Sequence, residues 1–129
     1  MYAMTVEIAL PIEQAIEKLK DALTAEKMGV VSEVNVQAIM KAKLDHDIPP
    51  YRMIGICGAG YARRVLEADA DMGAMLPCSC AAYEIEGGRT RIAIQDPDVV
   101  AGVTDKTAIK AAMTEARAAL ERVVAALKG

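Results

Sequence analysis

The segment Glu86-Gly87-Gly88-Arg89 constrains the fold of this chain more than any other. Adjacent glycines admit the positive φ angles of a two-residue type I′ turn, and such a turn fixes the pairing of the strands on either side. The flanking residues read as those strands, giving a hairpin over 77–97. With a two-residue loop, Ile85 faces Thr90, Tyr83 faces Ile92 and Ala81 faces Ile94, a row that reads as the core side. The opposite row pairs Glu86 with Arg89, Glu84 with Arg91, Ala82 with Ala93 and Cys80 with Gln95. Its two opposite-charge pairs mark a solvated face and are each worth about 0.2–1 kcal/mol. The cysteines are therefore expected to point away from the main core. A slip of one residue would carry every one of these side chains to the other face.

The rest of the chain reads as alternating strands and helices. Tyr2, Met4, Val6 and Ile8 alternate with Ala3, Thr5 and Glu7, the period of a half-buried strand over 2–8. Pro11 suits the first helical position after Leu10, the stripe Ile12, Ile16, Leu19 and Leu23 follows, and Gly29 offers the stop. Val30 to Val34 reads as a second strand, and Asn35 can cap a short helix carrying Val36, Ile39, Met40 and Leu44. Asp45 to Pro50 is a loop, because consecutive prolines continue neither regular element.

Tyr51 to Cys57 is apolar on both faces near its end, as in a central strand or one whose outer face meets another subunit. Residues 59–70 suit a short helix with Val65 and Leu66 inward and Arg63, Arg64 and Glu67 outward. Thr104 is expected to cap the last helix, with Asp105 in its first turn and a stripe of Ile109, Met113, Ala116, Leu120, Val123 and Leu127. The order of elements gives one domain over 1–129. Its class is α+β, a two-layer sandwich with a mostly antiparallel sheet of about five strands and helices packed on one face. The other sheet face is bare unless a second subunit covers it, and Ala82 and Ala93 there point to a homodimer.

A chain of 129 residues buries roughly two thirds of the surface its unfolded form exposes, so it needs no disulfide or metal merely to fold. Its core must come from Ile, Val, Leu, Met, Ala and a few Tyr, since Phe and Trp are absent; 8 Met make such a core adaptable. Net charge is −3, with acids and bases interspersed, and no basic face argues for nucleic acid. No apolar run approaches the ~20 residues of a membrane span, and no basic stretch precedes an apolar one at the start. The expectation is a soluble cytoplasmic protein without a membrane partner. Three cysteines, an odd number, then read as free thiols.

Chemistry concentrates in Met72-Gly-Ala-Met75-Leu-Pro-Cys78-Ser-Cys80. On a regular strand Cys78 and Cys80 share a face with Cα atoms ~6.5–7 Å apart, at or beyond the usual disulfide limit. A shared ligand fits that spacing better. Thiolate and thioether donors select soft ions such as copper(I) or zinc(II), and Met72 and Met75 lie close in sequence. The candidate metal set is Cys78, Cys80 and Cys57.

Cys57 closes a strand just before a helix N-terminus, where free backbone amides favour anions and lower a thiol pKa. Gly58 and Gly60 would let a small anionic or sulfur-containing ligand approach the backbone. Antiparallel strands would bring Cys57 beside Cys78, whereas a parallel crossover would put them at opposite ends of the sheet. Against a site stands plain packing, since buried free cysteine behaves as a small hydrophobe. His46, the only histidine, is a ligand, a general base or an exposed loop residue. Arg63 and Arg64 offer an anion site or a solvated helix face, and Glu84 and Glu86 are accounted for by their hairpin partners.

The order Tyr51-Arg-Met-Ile-Gly-Ile-Cys57, a short helix, Leu76-Pro77-Cys78, a glycine hairpin and a strand ending Asp96-Pro97 resembles the domain-of-unknown-function 302 family. The resemblance spans nearly the whole chain and is most specific over 51–97. It implies a small two-layer α+β fold, commonly dimeric, with no established activity. Members typically follow the first cysteine with Asn-Pro, where this chain has Gly58-Ala59, and Cys80 is a thiol beyond the family pattern.

The functional expectation is a small cytoplasmic homodimeric binding module, its ligand held by Cys57, Gly58, Gly60, Cys78 and Cys80. One alternative is a thiol-dependent enzyme using Cys57 or Cys78, for which His46 is the obvious base. Another is a structural partner-binding domain whose cysteines are packing.

Overall fold

The computed structural model describes residues 1–129. Five strands, β1 (Ala3–Ile8), β2 (Gly29–Asn35), β3 (Tyr51–Cys57), β4 (Cys78–Ile85) and β5 (Arg89–Gln95), form one sheet in the order β1-β5-β4-β3-β2. Every neighbouring pair is antiparallel. Helices α1 (Ile12–Ala25), α3 (Ala59–Ala68) and α5 (Thr107–Lys128) are the longest, joined by α2 (Val36–Leu44) and a single turn, α4 (Asp98–Ala101). The two-layer α+β arrangement read from the sequence is the arrangement observed. No helix is long and apolar enough to cross a membrane.

Most elements form for the reasons their residues suggest. On β1, Met4, Val6 and Ile8 are buried while Thr5 and Glu7 are exposed. On α1 the stripe Ile12, Ile16, Leu19 and Leu23 is buried together with Ala15. Asn35 accepts a hydrogen bond from the Ala38 backbone N–H at 3.0 Å and so starts α2. The α5 stripe is buried along its whole length and packs over the sheet at its C-terminal end.

Several boundaries differ from expectation. Pro11 caps α1 instead of entering it, and the left-handed residue after that helix is Lys27 at φ 60°, not Gly29, which opens β2. Leu66 is 40% exposed; Val65 alone is buried on α3. Thr104 accepts from the Lys106 N–H at 3.1 Å and closes a turn before α5, whose cap is Lys106. The helix α4 has no apolar period to announce it. Buried Asp96 accepts from the Asp98 N–H at 2.9 Å and is held by Arg117 Nε of α5 at 3.0 Å.

The hairpin register differs by one residue, and this is the consequential correction. Ile85 pairs with Arg89, Glu84 with Thr90, Ala82 with Ile92 and Cys80 with Ile94, leaving Glu86, Gly87 and Gly88 as a three-residue turn. The glycines do adopt positive φ, 76° and 68°. The extra loop residue nevertheless inverts the faces of β4. Cys80 and Ala82 lie under the helices at 3% and 0% exposure, while Ala81 and Tyr83 turn to the open face.

Side-chain size explains the choice. Small residues opposite Ile92 and Ile94 let the helical layer settle onto the sheet, and Tyr83 instead stacks on Tyr51, ring centroids 5.4 Å apart. The expected Glu84–Arg91 and Glu86–Arg89 pairs are replaced by Glu7 on β1, which binds Arg89 at 2.9 Å and Arg91 at 3.0 Å.

Burial pushes the Cys80 thiol up from 9.0 to about 12. The unfolded chain therefore ionises at this position before the folded one does. The stability contributed by a protonated, buried Cys80 is complete below pH 9 and falls as pH rises from 9 toward 12. Peptide mapping after alkylation of native protein should find Cys80 the least modified of the three thiols, reacting only on unfolding. Across the same pH range, Cys80→Ala should lose less stability than the unsubstituted chain in urea unfolding. Rapid labelling of native Cys80 would contradict the register.

Candidate functional site

Antiparallel pairing of β3 with β4 puts Ile56 opposite Cys78, so the end of one strand lies beside the start of the other. Cys57, the last residue of β3, and Cys78, the first of β4, line one small cavity. Its volume is about 40 Å³. That admits a single ion or a very few water-sized atoms, whereas pockets for organic ligands measure ~300–1,000 Å³. The remaining wall is nearly all apolar and includes Ile56, Met28, Met113, Leu76 and Tyr61.

The cavity sits at the seam of two buried clusters. One joins the sheet, α1 and the C-terminal part of α5; the other joins α3, α4, Met72 and the N-terminal part of α5. Tyr61 packs against both. Gly58, the N-cap of α3, lies close against the wall: a Cβ there would come 2.7 Å from the Tyr61 ring and 2.9 Å from Met28 Cγ. The missing side chain is what lets Met28 and Tyr61 approach. Gly60, two residues further, has open space around its Cα and is not in the lining.

Burial raises the Cys78 thiol pKa, and the neighbouring Cys57 raises it further. Both effects favour the protonated form. No Lys, Arg or His side chain lines the cavity to offset them. A thiol so placed is a poor nucleophile at neutral pH. A bound cation reverses that balance, because it displaces the proton and compensates the thiolate charge.

The other sequence candidates scatter. Cys80 is one pleat further along the helix-facing side of β4, buried in the main core, and no group of three or more His, Cys, Asp and Glu side chains gathers as a metal site. Met72 is buried in the second cluster, and Met75 packs at the margin of that cluster and lines the larger concavity, so neither reaches the thiols' cavity. His46 lies exposed in the loop before β3, at the end remote from Cys57. The seven-residue strand, about 20 Å long, runs from that loop's end to Cys57, and His46 is not among the residues that line the cavity. Arg63 pairs with Glu67 at 2.7 Å, and Arg64 reaches Glu115 on α5 at 2.8 Å.

A second, larger concavity of about 680 Å³ occupies the open face of the sheet. Its floor carries Met53, Gly55, Ser79, Ala81, Ala93 and Gln95. Gly55 is required there, since a Cβ would clash with Ser32 Oγ and lie 2.8 Å from Pro77 Cγ. Gln95 Oε1 is buried on this face without a hydrogen-bond partner.

Neither Met28 nor Met113 was among the candidate site residues of the sequence, where Met113 reads only as part of the apolar stripe of α5. One readable signal existed for Met28: once β2 and β3 are antiparallel, Gly29 pairs with Cys57 and the residue before it must lie near that thiol.

Comparison with known proteins agrees with this architecture. No curated relative matches the chain. The crystal structure of an uncharacterized conserved DUF302 protein from Bacillus stearothermophilus is 27% identical and superposes with a TM-score of 0.83, covering 99% of this chain and 97% of that one. The family described as "Domain of unknown function DUF302" matches residues 4–127, and the chain belongs to that family.

Proposed function

We propose that this chain is a small homodimeric binding module that holds a soft metal ion or a single sulfur atom between Cys57 and Cys78. The observation that carries the reading is the meeting of two thiols, from adjacent antiparallel strands, in one apolar cavity of about 40 Å³. Soft thiol donors suit soft acceptors, and the volume favours a single atom over an organic substrate. Turnover by a cysteine nucleophile needs an activating base, and the wall supplies none beyond the Tyr61 phenol. Free thiols of this kind belong in a reducing compartment such as the cytoplasm.

Protein purified anaerobically without chelator or added thiol should carry sub-stoichiometric to stoichiometric soft metal, or one added sulfur atom, by native mass spectrometry and elemental analysis. Cys57→Ser and Cys78→Ser should each abolish it, while Cys80→Ala should leave it in place. Retention of the adduct in both serine variants, or its absence before and after exposure to copper(I), zinc(II) and inorganic polysulfide, which passes one sulfane sulfur to a thiolate and leaves as the shorter polysulfide, would overturn the reading.

The dimer part of the proposal rests on the open sheet face. Met53 is 53% exposed there, small residues at Gly55, Ala81 and Ala93 permit close approach, and Gln95 Oε1 lacks a donor within its own chain. A second copy related by a two-fold axis brings an equivalent amide and an equivalent apolar floor. Light scattering should give twice the chain mass, and Ala81→Arg, at the centre of that floor, should give a folded monomer by circular dichroism. A monomeric unsubstituted chain at high concentration would remove this part.

A further inference from the structure

The cavity that holds the two thiols is also walled by two thioethers. Met28 reaches it from the turn between α1 and β2, where its N–H donates to Leu23 O at 2.9 Å and Lys27 takes the left-handed conformation. Met113 reaches it from α5, one turn before Ala116, on the stripe that continues to Leu120. Both methionines are almost fully buried, at 7% and 2% exposure, so neither is a surface side chain swung in by accident of rotamer. The space between these walls is small. The centre of a water-sized sphere can move through only about 40 Å³ of it, so a small occupant stays close to the walls.

Four sulfur-bearing residues around one atom-sized space discriminate between soft metals. Zinc takes thiolate, imidazole and carboxylate ligands, in tetrahedral sites. Copper(I) accepts thioether sulfur as well as thiolate. Imidazole and carboxylate are missing from this wall, and thioether is present twice.

Resting on the thiol reading above, we infer that the site is a copper(I) site in which Met28 and Met113 complete the coordination begun by Cys57 and Cys78. Binding is a ligand exchange without change of oxidation state. One copper(I) forms bonds to both cysteine sulfurs, two protons leave to solvent, and the thioethers donate lone pairs without losing any group. The bound unit carries one net negative charge. The first free N–H groups of α3, starting at its uncapped Gly58 terminus beside Cys57, face that charge favourably. The tight approach of Gly58 to Met28 Cγ keeps the thioether stem against the strand end.

The test is anaerobic titration of the full-length reduced chain with copper(I), supplied as its acetonitrile complex and competed with bicinchoninate, beside a parallel zinc(II) titration. Met28→Leu with Met113→Leu keeps apolar volume, and circular dichroism confirms that the double variant folds. One copper(I) per chain is expected, lost in Cys57→Ser with Cys78→Ser. The double leucine variant should bind copper(I) weaker by about tenfold or more, with any zinc(II) affinity unchanged.

Copper(I) binding that depends on the cysteines but is indifferent to both methionines overturns the thioether inference and leaves the thiol site standing. Zinc(II) bound in preference to copper(I) overturns the copper assignment alone. Failure to bind either metal overturns the metal site, and a sulfur atom retained at Cys57 or Cys78 in that case returns the cavity to sulfur chemistry.

Discussion

The side of the sheet on which each residue of β4 lies depends on whether the turn after it holds two residues or three. Because strand side chains alternate with period two, this parity governs everything attached to the strand. With Glu86, Gly87 and Gly88 in the loop, Cys80 and Ala82 lie under α1 and α5, opposite Ile94 and Ile92. Tyr83 then has the open face, with Tyr51 to stack on, and Arg89 and Arg91 reach across to Glu7. The alternative parity would drive a tyrosine ring into the layer where the helices pack and expose two of the smallest residues to solvent. Packing density in that layer leaves no room for the exchange.

The same antiparallel order decides which sulfurs meet. Chain reversals at the ends of β2, β3 and β4 bring Met28, Cys57 and Cys78 to one end of the sheet, although they lie far apart in sequence. Helix α5 crosses that end and adds Met113. Cys80, two residues from Cys78 and on the same face, falls one pleat inward and is absorbed by the main core. Proximity along the chain is thus a poor guide to which thiols cooperate. Burial raises the pKa of Cys78 through desolvation, so its thiol stays protonated at neutral pH unless a cation displaces the proton.

Much of this architecture was legible in the residues. Period two over 2–8, the Asn35 cap, the double proline before β3 and the long stripe of α5 each announce their element, because each is a local property of backbone or amphipathic face. The glycine pair also announced its turn, and both glycines do take left-handed angles. What the pair could not announce was loop length, since the same two conformations serve a two-residue turn or a three-residue one. That choice was made by the size of Tyr83 against Cys80, a tertiary matter. The site suffered in the same way: Met72 and Met75 are the thioethers nearest in sequence, yet one fills the second core cluster, the other packs at its margin, and neither lines the thiols' cavity. The convergence of Cys57 with Cys78 was conditional on antiparallel pairing, and it followed once that pairing was present.

The two proposed interfaces, the atom-sized cavity and the open sheet face, share a wall. Leu76 and Pro77 line both. Pro77 lies over Gly55 so closely that a Cβ at that glycine could not be accommodated without displacing the ring or Ser32. A subunit seated on the open face would therefore bear on the short segment that immediately precedes Cys78, and would hinder its movement away from Cys57. Conversely, a metal bridging Cys57 and Cys78 would pin the ends of β3 and β4 together and with them the rim of the face offered to the second copy. Ligand and subunit then act on one mechanical element from opposite sides, so each should tighten the other to the same extent, as linkage between two sites requires.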